Sequence, residues 1–114
     1  MKKRIYISGA ITGTSDYIER FANAQKELRE HGWTVINQAE VSSAMPNDTT
    51  YEEYMKMAFT MLDMCDSIYM LSGWEKSCGA NREYGYALAK DMDIIKEAAE
   101  CRRLTGEAMK TYKV

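Results

Sequence analysis

The apolar positions of the chain change period repeatedly, and those changes divide it into alternating strands and helices. Arg4 to Ser8 (RIYIS) is β-branched and aromatic and ends at Gly9, which predicts a first strand. Thr14 and Ser15 offer N-caps to a helix whose apolar residues Ile18, Phe21, Ala22, Ala24 and Leu28 recur near helical spacing. That helix runs to His31, and Gly32 suits the left-handed position that ends it. Trp33 to Asn37 (WTVIN) predicts a second strand. Ala39 to Thr50 is polar, holds the only proline, Pro46, and reads as a loop able to act as a lid. A second helix runs from Thr50 through Met55, Ala58, Phe59 and Leu62 to about Met64, and Ser67 to Leu71 (SIYML) predicts a third strand. After the loop Ser72 to Ser77 come a helix, a short strand at Asp93 to Ile95 and a terminal helix over roughly Ala98 to Tyr112.

This alternation implies an α/β fold of three layers, a flavodoxin- or Rossmann-like parallel sheet of four to five strands between helices with right-handed crossovers. One domain over residues 1–114 is expected. Ligands in such sheets bind beyond the carboxyl ends of the strands, near the point where strand order reverses. Three segments follow those ends: SGAITGT (Ser8 to Thr14), NQAE (Asn37 to Glu40) and SGWEKSCGANRE (Ser72 to Glu83). They are the expected walls of a site.

Composition narrows the partners. With 46% apolar and 28% charged residues and a net charge of −2, the chain has no basic field for nucleic acid or an anionic membrane surface. The amino terminus MKKRIYISG has too few apolar residues for a signal segment, no apolar run can span a bilayer, and a cytoplasmic location is expected. Cys65, Cys78 and Cys101 are odd in number and form no CxxC pair, which argues against a disulfide framework and against a zinc site. GxGxxG is absent and no lysine follows Gly13, so neither a dinucleotide nor a nucleoside triphosphate is expected as a cofactor, and none is assigned.

Individual residues carry more than one meaning. Gly9 and Gly13 either permit a tight strand-to-helix turn or allow a ligand to approach closely. Trp74 is either a cover over a core edge or a platform for a flat ring. His31, at a helix end, reads as a favourable C-terminal charge and not as a catalyst. The methionines of the second helix, Met55, Met57, Met61 and Met64, suit core and subunit contacts. Glu83 is the unusual one. With Ser77 as cap, it falls in the second turn of its helix on a stripe of small residues, three after Ala80 and four before Ala87. It is either a surface glutamate paired with Arg82 or Lys90, or a carboxylate that a ligand can approach. In the second case the field of the helix amino terminus and nearby donors are expected to keep it ionised.

Four motifs in order then carry a resemblance over Lys3 to about Ile95: YISGAITG, G-W-x-V-I-N at Gly32 to Asn37, CDSIYMLSGW at Cys65 to Trp74, and S-x-G-A-x-x-E-x-x-x-A at Ser77 to Ala87. Together they resemble the nucleoside 2-deoxyribosyltransferase-like superfamily, most closely its short branch DUF4406. The resemblance implies N-glycosidase or deoxyribosyltransferase chemistry on a nucleoside or its 5′-monophosphate. Glu83 would attack the anomeric carbon and hold the sugar as a covalent ester, in the manner of a retaining glycosidase. It also implies that Tyr6, Ser8 and Gly9 line the sugar and nucleophile side, Asn37 and Trp74 the base side, and Ser77 with Gly79 the 5′ side. A serine at the position of Ser77 goes with members that act on monophosphates. Assembly as a homodimer or larger is implied as well.

Two positions depart from that pattern. Characterised members of that superfamily carry an aspartate eight positions before the one matching Asp66, and here Ala58 stands there, with Asp63 five residues on and Glu53 five residues back. The monophosphate hydrolases carry a first-loop arginine where this chain has Thr12. Three functions follow: a glycosidase or transferase with Glu83 as nucleophile, a binder of a nucleotide-like ligand on the same fold, or a receiver-type signalling module. The last fits poorly, because Asp66 precedes its strand and no acidic pair ends the first one.

Overall fold

The computed structural model describes residues 3–11, 15–97 and 111–113. Its elements are β1 (Arg4–Ser8), α1 (Tyr17–Glu30), β2 (Thr34–Asn37), α2 (Gln38–Ser43), α3 (Tyr51–Asp63), β3 (Ser67–Met70), α4 (Cys78–Ala89), β4 (Asp93–Glu97) and β5 (Thr111–Lys113). The strands form one sheet in the order β2-β1-β3-β4-β5. The first four are parallel, as the alternating pattern predicts, and β5 runs antiparallel to β4. The flavodoxin-like order places the switch point between β1 and β3, where a ligand crevice belongs.

Strand periodicity assigns the layers. Ile5 and Ile7 of β1 join Tyr69 and Leu71 under Phe21, Ala24 and Leu28 of α1. Tyr6 of β1 turns to the other face, with Ile68, Met70 and Ile94, where α3 contributes Met55, Ala58 and Leu62 and α4 contributes Ala80 and Ala87. With both faces covered, β1 from Ile5 on and all of β3 are buried without alternation, as central parallel strands require.

Helix ends follow local chemistry in most places. Thr50 caps α3 through a capping box with Glu53. Ser77 caps α4 by accepting from the Ala80 amide. Gly32 has φ +90°, the left-handed position expected after α1. Three expectations are corrected. The cap of α1 is Asp16, without a side-chain hydrogen bond, while Thr14 lies outside the described residues. Ala39 to Thr50 is not all loop, because Asn37 accepts from the amides of Ala39 and Glu40 and starts α2 there. The terminal helix does not extend through Thr111 and Tyr112, which are strand; residues 98–110 lie outside the described residues. On α3, Met55 is buried and Met61 packs against the core, while Met64 is exposed. No helix among the described residues is long and apolar enough to cross a membrane.

Candidate active site

A cavity of about 270 Å³ opens beyond the carboxyl ends of β1 and β2. Gly9, Ile11 and Tyr17 line it from the β1 end and α1, and Gln38, Ser42 and Ser43 from α2. Tyr51, Tyr54 and Met55 of α3 face Ser77, Gly79, Ala80 and Glu83 across it. That size is at the small end of ligand pockets, which run from roughly 300 to 1,000 Å³.

Glu83 is the acid of this cavity, and the fold explains why it is there. The stripe Ala80, Glu83, Ala87 is the face that α4 lays on the sheet, and its small residues allow a close approach. Tyr6 and Ser8, two apart on β1, both point to the face that α4 covers. The Tyr6 hydroxyl donates to Glu83 Oε2 at 2.5 Å, and the Ser8 hydroxyl donates to Oε1 at 2.5 Å. Each carboxylate oxygen therefore has one donor, and Glu83 is only 2% exposed. Neither Arg82 nor Lys90 is its partner: Arg82 pairs with Glu52 and Lys90 with Asp63.

Burial changes its protonation. Desolvation raises the Glu83 pKa to about 7, and the hydrogen bonds from Ser8 and Tyr6 oppose that rise only in part. The expectation of a carboxylate kept ionised is thus corrected, because loss of solvent outweighs two hydroxyl donors. Near neutral pH the group is about half ionised. Burial first, and the Glu83 charge second, push the Tyr6 phenol well above its usual 10.0, so Tyr6 remains a donor.

Not every expected residue meets here. Gly9, Ser77 and Gly79 line the cavity with Glu83, and Tyr6 and Ser8 stand behind it, fully buried. Asn37 and Trp74 do not line it. Asn37 spends its oxygen on the α2 cap and its amide nitrogen on Gln25. The left-handed Gly73 turns Trp74 into the core, against Tyr84 and under the Lys96 ammonium. Thr12 lies outside the described residues. The lining residues not singled out by sequence are Ile11 and Tyr17, Gln38, Ser42 and Ser43 of α2, and the pair Tyr51 and Tyr54, one turn apart after the Thr50 cap.

The residues around the two departures are also placed. Ala58 is fully buried in the cluster that holds Tyr6 and Ala80. Asp63 accepts from the Tyr86 hydroxyl, and Glu53 completes the Thr50 capping box, so both nearby acids are engaged away from the cavity. Asp66 accepts from the Arg4 amide at the amino end of β3, at the opposite edge of the sheet. Among the described residues, no group of three or more His, Cys, Asp or Glu is arranged to hold a metal ion.

Gly9 fits where a side chain does not. A Cβ there would meet Leu71 Cβ and Cδ1 at 3.0 Å. Gly9→Ala is therefore expected to lower stability by about 1–3 kcal/mol through overpacking, measured by urea unfolding. Unchanged stability would mean that the β1 end yields without cost.

Comparison with known proteins adds three findings. A family model described as "Domain of unknown function (DUF4406)" matches residues 3–96. No curated protein matches the chain. Among solved structures, the CMP N-glycosidase BcmB of Clostridium botulinum is similar, with a TM-score of 0.60 and 24% identity, over 82% of this chain and 70% of that one. At that identity the likeness shows a shared fold.

Proposed function

The chain belongs to the DUF4406 family, and from that premise we propose that it cleaves the N-glycosidic bond of a nucleoside or its 5′-monophosphate through a glycosyl ester on Glu83. The observation that carries this reading is the carboxylate itself, buried at the cavity wall with one hydroxyl donor on each oxygen. Such a group is fixed in one orientation, and its ionised form, costly in a buried setting, gains a partner when positive charge develops at the anomeric carbon. An oxocarbenium-like transition state supplies that charge. One Glu83 oxygen bonds to the anomeric carbon as the bond to the base breaks. The base leaves with the electron pair and takes a proton from solvent. Water then displaces the carboxylate from the anomeric carbon and gives hydrolysis, or a second base does so and gives transfer.

Gln38, Ser42 and Ser43 of α2 take the base side in this reading, in place of Asn37 and Trp74, because they are the amide and hydroxyls that reach the cavity. Ser77 and Gly79 keep the 5′ side. Assembly as a homodimer or larger goes with the exposed Met64 and Leu88, and light scattering reads it directly.

The test is incubation with ribo- and deoxynucleosides and their monophosphates. Free base is expected from at least one, and a 2′-deoxy-2′-fluoro nucleoside is expected to leave the peptide containing Glu83 heavier by the fluorosugar. A second reading, a binder without turnover, is favoured by Ala58, a buried apolar methyl where characterised members of the resembled superfamily carry an aspartate. No product across the panel, with a ligand that still raises the melting temperature, would establish the binder and overturn the enzyme.

A further inference from the structure

With six residues, α2 is too short to hold its helix alone. Its apolar hold on the core is Ala39, which joins the cluster of Phe21, Ala24 and Leu28 of α1, while Val41 is exposed. Yet Gln38, Ser42 and Ser43 of this helix form one wall of the cavity. Polar contacts must therefore do much to place it. Asn37, at the end of β2, makes the first of them: its side-chain oxygen accepts from the Ala39 amide at 3.0 Å and from the Glu40 amide at 3.4 Å. Backbone amides only donate, so the oxygen has to face them and the Asn37 nitrogen is left for another partner. That nitrogen donates to Gln25 Oε1 at 3.0 Å. Gln25 is the one polar residue among those that α1 buries, beside Phe21, Ala24 and Leu28. It and Asn37 are only 6% and 5% exposed, so each depends on the other for that hydrogen bond.

We propose that Gln25, which does not line the cavity, is a positioning residue for the ligand: by accepting from Asn37 it fixes the cap of α2, and with it the places of Gln38, Ser42 and Ser43. The inference rests on the reading of α2 as the base side of the cavity. A carboxamide on an apolar stripe costs burial free energy that leucine would avoid, and its hydrogen bond to Asn37 offsets that cost. The net gain is orientation. Without the bond to Gln25, the Asn37 amide can turn about its side-chain torsions, and the two cap bonds weaken together. The helix then frays from its first turn, where Gln38 stands.

Hydrogen exchange and steady-state kinetics of the full chain test this with three variants. Gln25→Met keeps the length and loses the acceptor, Gln25→Glu keeps an accepting oxygen whether charged or neutral, and Asn37→Ser keeps a cap but has no amide nitrogen to give Gln25. In Gln25→Met and in Asn37→Ser, the amides of residues 39–43 are expected to exchange about fivefold faster or more, the effect of about one lost hydrogen bond, with those of α3 unchanged. Gln25→Glu should restore most of the protection. For base release from ribo- and deoxynucleosides and their monophosphates, Gln25→Met should raise KM about fivefold and leave kcat within about twofold. The pH dependence of the rate should stay in place, because Tyr6 and Ser8 keep their bonds to Glu83. A smaller folded fraction would instead lower kcat and leave KM unchanged. Unchanged exchange in α2, exchange that quickens equally in every element, or an unmoved KM overturns the proposal. If the wild-type chain releases no base, calorimetric Kd values for the same compounds replace KM. Weakening of about fivefold in Gln25→Met then upholds the positioning role while the glycosidase reading fails, and no binding of any compound overturns both.

Discussion

Replacing Glu83 by glutamine is expected to abolish base release and, at pH 8, to make the protein more stable. The first effect follows from its role as nucleophile: an amide cannot form the ester, and loss of a nucleophile costs roughly 10³-fold or more in rate. The second follows from burial. Its pKa is about 7 when folded, against an ordinary carboxyl value of 4.5, so the folded state favours the protonated form. That preference is fully present below pH 4.5 and is lost as pH rises through 7. Above 7 the folded protein carries a buried charge at a cost of about 3 kcal/mol, since each pKa unit corresponds to about 1.4 kcal/mol. Glutamine carries no such charge and keeps partners among the same hydroxyls, its oxygen accepting from one and its nitrogen donating to the other. Urea unfolding of both proteins from pH 4.5 to 8 should give curves that meet at the acid end and separate by up to that amount at the alkaline end. Parallel curves at every pH would show that the carboxylate carries no desolvation cost.

A residue that destabilises the fold when charged is what a functional site leads one to expect and what a structural role does not explain. The other ionic groups of α4 behave differently. Arg82 and Lys90 sit on its outer face with exposed partners, where charge costs little. Only Glu83 occupies the stripe that the sheet covers, and it does so between alanines, where leucine or valine would have packed more apolar surface.

The sequence made the parallel core legible because its signals are local and strong. The runs RIYIS and SIYML are too apolar for half-buried strands, and the helices between them carry helical spacing and caps at Thr50 and Ser77. What it hid depends on contacts far along the chain. β5 exists by pairing with β4, and no periodicity in three residues announces that partner. The helix α2 did leave a signal, Asn37 followed three residues later by Glu40, a capping pattern obscured by the polar stretch after it. That same cap withdraws Asn37 from the ligand, since its oxygen is already spent on two amides. Trp74 was ambiguous for a related reason: the left-handed Gly73 decides which way the ring turns. The candidate carboxylate could be picked out by its neighbours, but its protonation could not. Spacing places Glu83 near donors, and only the packed fold reveals how completely solvent is removed.

The rate of base release should therefore depend on pH in a way that identifies Glu83 as the titrating group. A nucleophile must be ionised, and the ionised fraction grows tenfold per pH unit below the pKa. With that pKa at about 7, kcat/KM is expected to rise about tenfold per unit from pH 5, to break near 7 and to level above it. An exposed glutamate near its ordinary value would already be level by pH 6. Ser8→Ala distinguishes this carboxylate from any other titrating group. The Ser8 hydroxyl donates to Glu83 Oε1 and lowers its pKa, so removing it must move the break to higher pH and deepen the loss of rate at pH 6. A profile that is flat between pH 5 and 7, or a break that stays in place in Ser8→Ala, would mean that the rate is governed by a group other than Glu83. The same hydrogen bond thus links the strand that ends at the cavity to the chemistry proposed in it. Ser8 acts through the charge it stabilises and need not touch the substrate.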